Sequence, residues 1–267
     1  MFVQHRPFAL LLLLSALAGP WPAAWSPLAA QTVEPATKSW LERQFTANGA
    51  RRTAAPADAP SEAALALATW DWLRRSPAKG AEPALEETAR FLAGHADWPA
   101  APTIRRRAEA QAADPLQTPD NAAFAFFRQL PPQTAAGEAR FALVSSGAEA
   151  ERLARAAWVR PYLPLELESA LLARFSAIFT RAEHAKRADA LVWVGQTSAA
   201  GRLLPLLDDE NRTFLQARLA LRSNAADAEA RAASVPARFR RNAGLVYDRA
   251  TWLERRNRLK DAEALLA

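Results

Sequence analysis

"EPALEETARFLAGHADWPAAPTIRRRAEAQAADP", Glu82 to Pro115, holds two helix-period runs, each closed by a proline. The first stops before Trp98-Pro99 and the second at Asp114-Pro115. A proline pushes the residue before it out of the helical region and cannot donate to a helix itself, so each run must end there. Working outward, "SEAALALATWDWLRR" (Ser61 to Arg75) stops in the same way at Ser76-Pro77. Each run is about two to four turns long. Strand-like alternation is missing, and after residue 60 there is no Asn-Gly or Asp-Gly hairpin signal. Alanine, leucine and arginine, all good helix formers, dominate a chain of 267 residues with only 9 glycines. The pattern predicts an all-α protein of short helices without a sheet.

The C-terminal half repeats itself. "RADALVWVGQTSAAGRLL" (Arg187 to Leu204) and "RATWLERRNRLKDAEALL" (Arg249 to Leu266) align without a gap, at the constant offset that takes position 187 to position 249. Arg187, Ala188, Leu191, Ala200, Leu203 and Leu204 then match Arg249, Ala250, Leu253, Ala262, Leu265 and Leu266. Half that offset, about 31 residues, is close to one helical hairpin of a tetratricopeptide-like array. The expectation is a right-handed-type superhelix of short hairpins, an α-solenoid in which each hairpin buries its apolar face on its neighbours.

Composition removes several function classes. Without cysteine there are no disulfides, thiol nucleophiles or cysteine-bound metals. His5, His95 and His184 are too scattered for metal-ligand spacing, so no metal or other cofactor is expected. The net charge is +6, and Arg6 is the only formally charged side chain in residues 1–30, which leaves +5 for the remainder. The clusters Arg105-Arg106-Arg107 and Arg238, Arg240, Arg241 are interrupted by apolar or acidic neighbours. They read as solvated helix faces rather than a nucleic-acid stripe.

The N-terminus reads as a Sec signal peptide over residues 1–30: His5-Arg6, then the apolar run "FALLLLLSALA", then small residues and prolines up to Ala30, with Ala16-Leu17-Ala18 as an earlier cleavage site. About 11 apolar residues fall short of the roughly 20 that span a membrane, so no stable membrane anchor is expected. Residues 31–59 read as a loosely ordered lead-in with a short helix around Trp40 to Phe45, followed by "NGARRTAAPADAP". Residues 60–267 then form the helical domain.

One stretch raises the question of catalysis. "LPLELESALLARF", Leu163 to Phe175, contains Glu168-Ser169, the pair that opens the catalytic motif of some glycan-cleaving enzymes. Pro164 suits a first helical turn and Glu166 complements the positive end of the helix dipole. Leu167, Leu171, Leu172, Phe175, Ile178 and Phe179 share one apolar arc, into which Glu168 projects. A carboxyl among apolar groups has the raised pKa that a general acid needs. Against this, a glutamate in the first turns reaches solvent or free backbone N–H groups. The structural reading is the stronger, and no catalytic residue is assigned.

"FLAGHADWPAAPTIRRRAEA" (Phe91 to Ala110) followed by Arg155 to Leu207 resembles the N-terminal region of soluble lytic murein transglycosylases. The resemblance rests on Trp98-Pro99, Arg105, Glu109, Trp158, "LLARF", Glu183-His184, Arg187 and Trp193, and covers roughly residues 60–267. It implies a superhelical, U-shaped domain. In that family a separate lysozyme-like domain cleaves the β-1,4 bond between N-acetylmuramic acid and N-acetylglucosamine with one glutamate, leaving a 1,6-anhydro product. There Glu-Ser is usually followed by an aromatic residue, then by Met-Gln and Thr-Ala. Here Ala170-Leu171 follow Glu168-Ser169, and Met1 is the only methionine. No catalytic residue of the family carries over. The resemblance implies the non-catalytic region of such an enzyme, ending at "DAEALLA" in mid-pattern, with peptidoglycan strands and a missing catalytic domain as partners. A tetratricopeptide-like envelope scaffold that binds protein partners is the alternative.

The signal-peptide pattern predicts a mature periplasmic chain beginning near Gln31. Mass spectrometry of the envelope fraction should find that N-terminus; an intact Met1 on a cytosolic chain would contradict it.

Overall fold

A computed structural model describes residues 33–50, 55–75, 77 and 81–266. The expected signal peptide and its cleavage point lie outside these residues. Among the described residues the fold is all-α, with fourteen α-helices and no strand. They are α1 (Pro35–Gly49), α2 (Glu62–Arg74), α3 (Leu85–Gly94), α4 (Ala101–Ala113), α5 (Asp120–Gln129), α6 (Ala135–Val144) and α7 (Gly147–Trp158). Then follow α8 (Leu165–Phe175), α9 (Arg181–Trp193), α10 (Thr197–Arg202), α11 (Asp209–Ser223), α12 (Ala228–Ala233), α13 (Ala243–Arg255) and α14 (Leu259–Leu266). The proline-closed runs become α2, α3 and α4, and none of these helices is long and apolar enough to cross a membrane.

Helix starts follow from capping chemistry. Ser61, Thr134, Thr180, Asp208 and Asn242 each accept a hydrogen bond from a backbone N–H in the first turn of the helix that follows. Thr180 and Glu183 complete a reciprocal capping box on α9. Pro164 differs slightly from expectation: it stands just before α8 as its N-cap.

The internal echo is visible as helices. The offset that takes position 187 to 249 carries both ends of α9 onto those of α13, and the start of α10 onto the start of α14. An intermediate repeat is also present, since half that offset carries both ends of α10 onto those of α12. Three successive pairs result, with α9 packed on α10 and α11, α11 on α12 and α13, and α13 on α14.

Each pair turns by the same device. Gly195, Asn224 and Asn257 adopt left-handed backbone conformations after α9, α11 and α13. The next residue's N–H then reaches back into the helix: Gln196 to the Leu191 carbonyl at 2.8 Å, Ala225 to Ala220 at 2.9 Å and Arg258 to Leu253 at 2.9 Å. These bonds satisfy carbonyls that the helix end leaves free, and glycine and asparagine tolerate the required φ best.

The core runs through the stack. One cluster extends from Trp72 to Leu215 and a second from Phe214 to Ala262, so α11 contributes to both through adjacent residues. A third cluster joins Trp40 of α1 to Ala64 and Ala68 of α2. The expected lead-in, residues 31–59, contains α1. Its helix is the whole of α1, and buried Asn48 donates to the Ala68 carbonyl at 3.0 Å and to Asp71 at 3.1 Å.

Candidate functional site

Four carboxylates are buried among the described residues: Asp71, Glu109, Glu168 and Asp248. Each is a candidate acid until its partners are known, and each is paired with at least one arginine.

Glu168 sits on α8 and is only 3% exposed. The expectation that it reaches solvent or first-turn N–H groups is overturned. Its Oε2 accepts from Arg187 Nη2 at 2.6 Å, and its Oε1 accepts from Arg202 Nη2 at 3.1 Å and Nε at 3.2 Å. The apolar arc is as expected, with Leu167, Leu171, Phe175 and Phe179 buried, although α8 stops at Phe175 and a 3₁₀ turn carries the chain on through Ile178. Both carboxylate oxygens are thus occupied by guanidinium donors from α9 and α10.

Arg187, on α9, is fully buried and ties three elements together. Besides Glu168, it donates to the carbonyls of Trp158 at 3.0 Å and Arg160 at 2.9 Å, at the C-terminal end of α7. Its guanidinium lies 4.6 Å from the Trp158 ring centre. Trp158 stacks on Phe179 at 4.8 Å and donates its indole N–H to His184 Nδ1 at 3.1 Å. That bond requires an unprotonated Nδ1. Burial pushes the His184 pKa down from the ordinary 6.5, against a smaller upward pull from the Glu183 carboxylate.

Glu109, on α4, is equally committed. It accepts from the backbone N–H groups of Gln133 and Thr134, from the Thr134 hydroxyl at 2.8 Å and from Arg105 at 3.1 Å. It therefore places a negative charge at the start of α6, whose Gly137 passes so close that an added Cβ would lie 3.0 Å from Glu109 Oε2. At Asp71, burial raises the carboxyl pKa, but hydrogen bonds from Arg75, Asn48 and Arg74 together outweigh it and leave the value lowered. Asp248 accepts from Arg218 at 2.6 Å and Arg222 at 2.7 Å.

The arginine clusters divide. Arg106 is the exposed member of its triplet. Arg105 holds Glu109, and Arg107 turns inward to the Leu73 and Arg75 carbonyls at the end of α2, which corrects the expected solvated face. Arg238, Arg240 and Arg241 are exposed, and Arg238 pairs with Glu210 at 2.7 Å.

The residues that carried the family resemblance thus fall into separate places. Arg105 with Glu109 forms one pair, and Trp158, His184 and Arg187 form a single buried cluster. Trp98 packs against Trp70, Phe91 and His95, while Trp193 stands exposed at the end of α9. Arg202, Arg218 and Asp248 went unnoticed in the sequence, because their partners are distant along the chain. Among the described residues no three histidine, aspartate or glutamate side chains are grouped to hold a metal ion. Compared with known protein families, curated proteins and solved structures, the chain finds no match.

Removing one partner of a buried ion pair strands the other. Glu168→Ala should therefore lower unfolding stability by about 3 kcal/mol, read by urea denaturation, and an unchanged stability would refute the structural role. The His184 shift has the opposite sign to a gained ion pair. Its folded pKa lies below its unfolded one, so its contribution is complete above about 6.5 and declines as pH falls below that value. Urea titrations at several pH values should show this decline, and His184→Gln, which keeps an acceptor but no titrating ring, should flatten it.

Proposed function

We propose that the chain is the non-catalytic superhelical region of a periplasmic lytic murein transglycosylase and that it binds or scaffolds peptidoglycan glycan strands. The observation that carries this reading is the buried cluster of Trp158, His184 and Arg187. Three residues of the ordered pattern resembling that family, drawn from α7 and α9, converge on one hydrogen-bonded unit. The Glu109–Arg105 pair adds a second convergence from the same pattern.

The finer architecture belongs to this reading. Pairs of helices recurring at the full offset and at half of it, each turned by the same left-handed closure, support a superhelix of tetratricopeptide-like hairpins. In such a stack the first helices of successive pairs line one continuous face, which suits a polymeric ligand. Glu168 has no catalytic part in this reading, because a buried carboxylate already held by two arginines is out of reach of a glycosidic oxygen.

The same helical pairs favour a second reading, an envelope scaffold whose partners are proteins. Sedimentation with purified peptidoglycan sacculi separates the two. The first reading expects the chain to pellet with sacculi and, by itself, to release no 1,6-anhydro muropeptides on chromatography. A chain that stays in the supernatant would favour the scaffold, and anhydro products that disappear in Glu168→Gln would overturn the assignment of Glu168.

A further inference from the structure

Two large aromatic side chains meet on the surface. Trp193, at the end of α9, is 44% exposed, and Tyr247, near the start of α13, is 53% exposed. Their ring centres are 5.6 Å apart with the planes tilted by 34°. Both α9 and α13 pack on α11, so the rings come together from the two helices that flank it.

Beneath them α11 supplies Arg218, which is fully buried and lies 5.4 Å from the Trp193 ring centre. Asp248 and Asp189 hold its guanidinium, and its Nη2 has no hydrogen-bond partner. Gly244 at the start of α13 leaves room for it, since any Cβ there would fall 2.6 Å from the guanidinium carbon. Asp248 also binds Arg222, so two arginines and two aspartates cancel in charge under the rings. The Asp189 side chain remains 38% exposed beside them, with its carboxylate able to accept from a ligand.

We propose that Trp193 and Tyr247 form a stacking platform for the sugar rings of a neutral β-1,4-linked N-acetylhexosamine glycan, with Asp189 accepting from its hydroxyls. This rests on the glycan-binding function proposed above and locates it. A pyranose offers an apolar C–H face and a polar rim, which matches aromatic rings bordered by a carboxylate. With the charges beneath the rings cancelled, Lys186 is the cation left beside the pair on α9, and a single exposed cation attracts a phosphate or a polyanion only weakly. A docking helix would need a long apolar stripe, whereas Lys186 and Asp189 on α9 and Thr251 on α13 interrupt the small residues Ala190, Ala243 and Ala250 beside the pair.

The test uses the purified full chain, a soluble N-acetylglucosamine hexamer with β-1,4 links for calorimetric titration, and sacculi for sedimentation. Trp193→Ala and Tyr247→Ala should each weaken hexamer binding by about tenfold, and Tyr247→Phe should retain it. Raising the salt concentration should change little. Tyr247 is more than half exposed, so its alanine variant should melt like the parent, which keeps the test valid even if Trp193→Ala is destabilised. If the parent binds sacculi but the alanine variants bind hexamer and sacculi as well as it does, the platform is wrong and the general reading stands. If the parent binds neither probe, both fall.

Discussion

The fold depends on arginine side chains that reach from one helix to the exposed end of an earlier one. A helix leaves its last carbonyls without partners, and those oxygens carry the negative end of its dipole. Arg107 serves the end of α2, Arg174 the end of α6 through the Ala142, Leu143 and Ser145 carbonyls, and Arg187 the end of α7. Short helices make this necessary, because a stack of ten- to thirteen-residue helices has many ends per unit length and several of them are buried. Arginine suits the task better than lysine: its planar fork presents five donors, so one side chain can satisfy two carbonyls and a carboxylate together. The chain uses it accordingly, since all but Lys38, Lys79, Lys186 and Lys260 of its 34 basic residues are arginine.

Burying such a group is costly unless every charge finds an opposite one. The buried carboxylates follow from this constraint. Glu168 neutralises buried Arg187 and is shared with half-exposed Arg202, while Asp248 and Asp189 together balance Arg218 and Arg222. Position 187 recurs as Arg218 at half the repeat offset and as Arg249 at the full one, so the arginine belongs to the repeat itself. Its acid does not. Glu168 comes from the helix before Arg187, Asp248 from the second helix after Arg218, and Arg249 pairs with Glu229 at 3.6 Å. A repeat can therefore keep its cation while each copy recruits a different anion, which hides the pairing from a residue-by-residue alignment.

What was legible in the sequence follows the same division. Proline-closed runs, N-cap residues and the internal echo are local or strictly periodic, and they gave the all-α class, helices α2 to α4 and the equivalence of α9 with α13. The middle pair was harder to see, because α11 starts earlier than a half-offset shift from α9 requires and turns at Asn224, also earlier than that shift from Gly195 would place it. The first helix was underestimated for another reason. Asn48-Gly49 reads as a break, yet Asn48 lies in the core because its amide finds Asp71 on the next helix. Glu168 was the sharpest case: its sequence neighbours show an apolar arc, and only the tertiary fold brings Arg187 and Arg202 onto it. Its local pattern raised the question of acid catalysis, while the arginines that hold it lie far along the chain.

The repeat also shows how a packing device can acquire an exposed face. Arg187 lies over Trp158 and Arg218 over Trp193, a cation against an indole in both copies. Around Trp158 the arrangement is closed: Phe179 stacks on one face and His184 takes the indole hydrogen. Around Trp193 it is open, because the neighbouring ring is Tyr247, itself more than half exposed. A buried aromatic stabilises through the area it removes from water and through its satisfied N–H. A half-exposed one contributes less of each, so Trp193 and Tyr247 at the junction of α9, α11 and α13 leave part of their ring surface open to solvent. The buried Arg218–Asp248 pair beneath fixes the guanidinium under the Trp193 ring, so the ring at this junction is held from below while its outer side stays open.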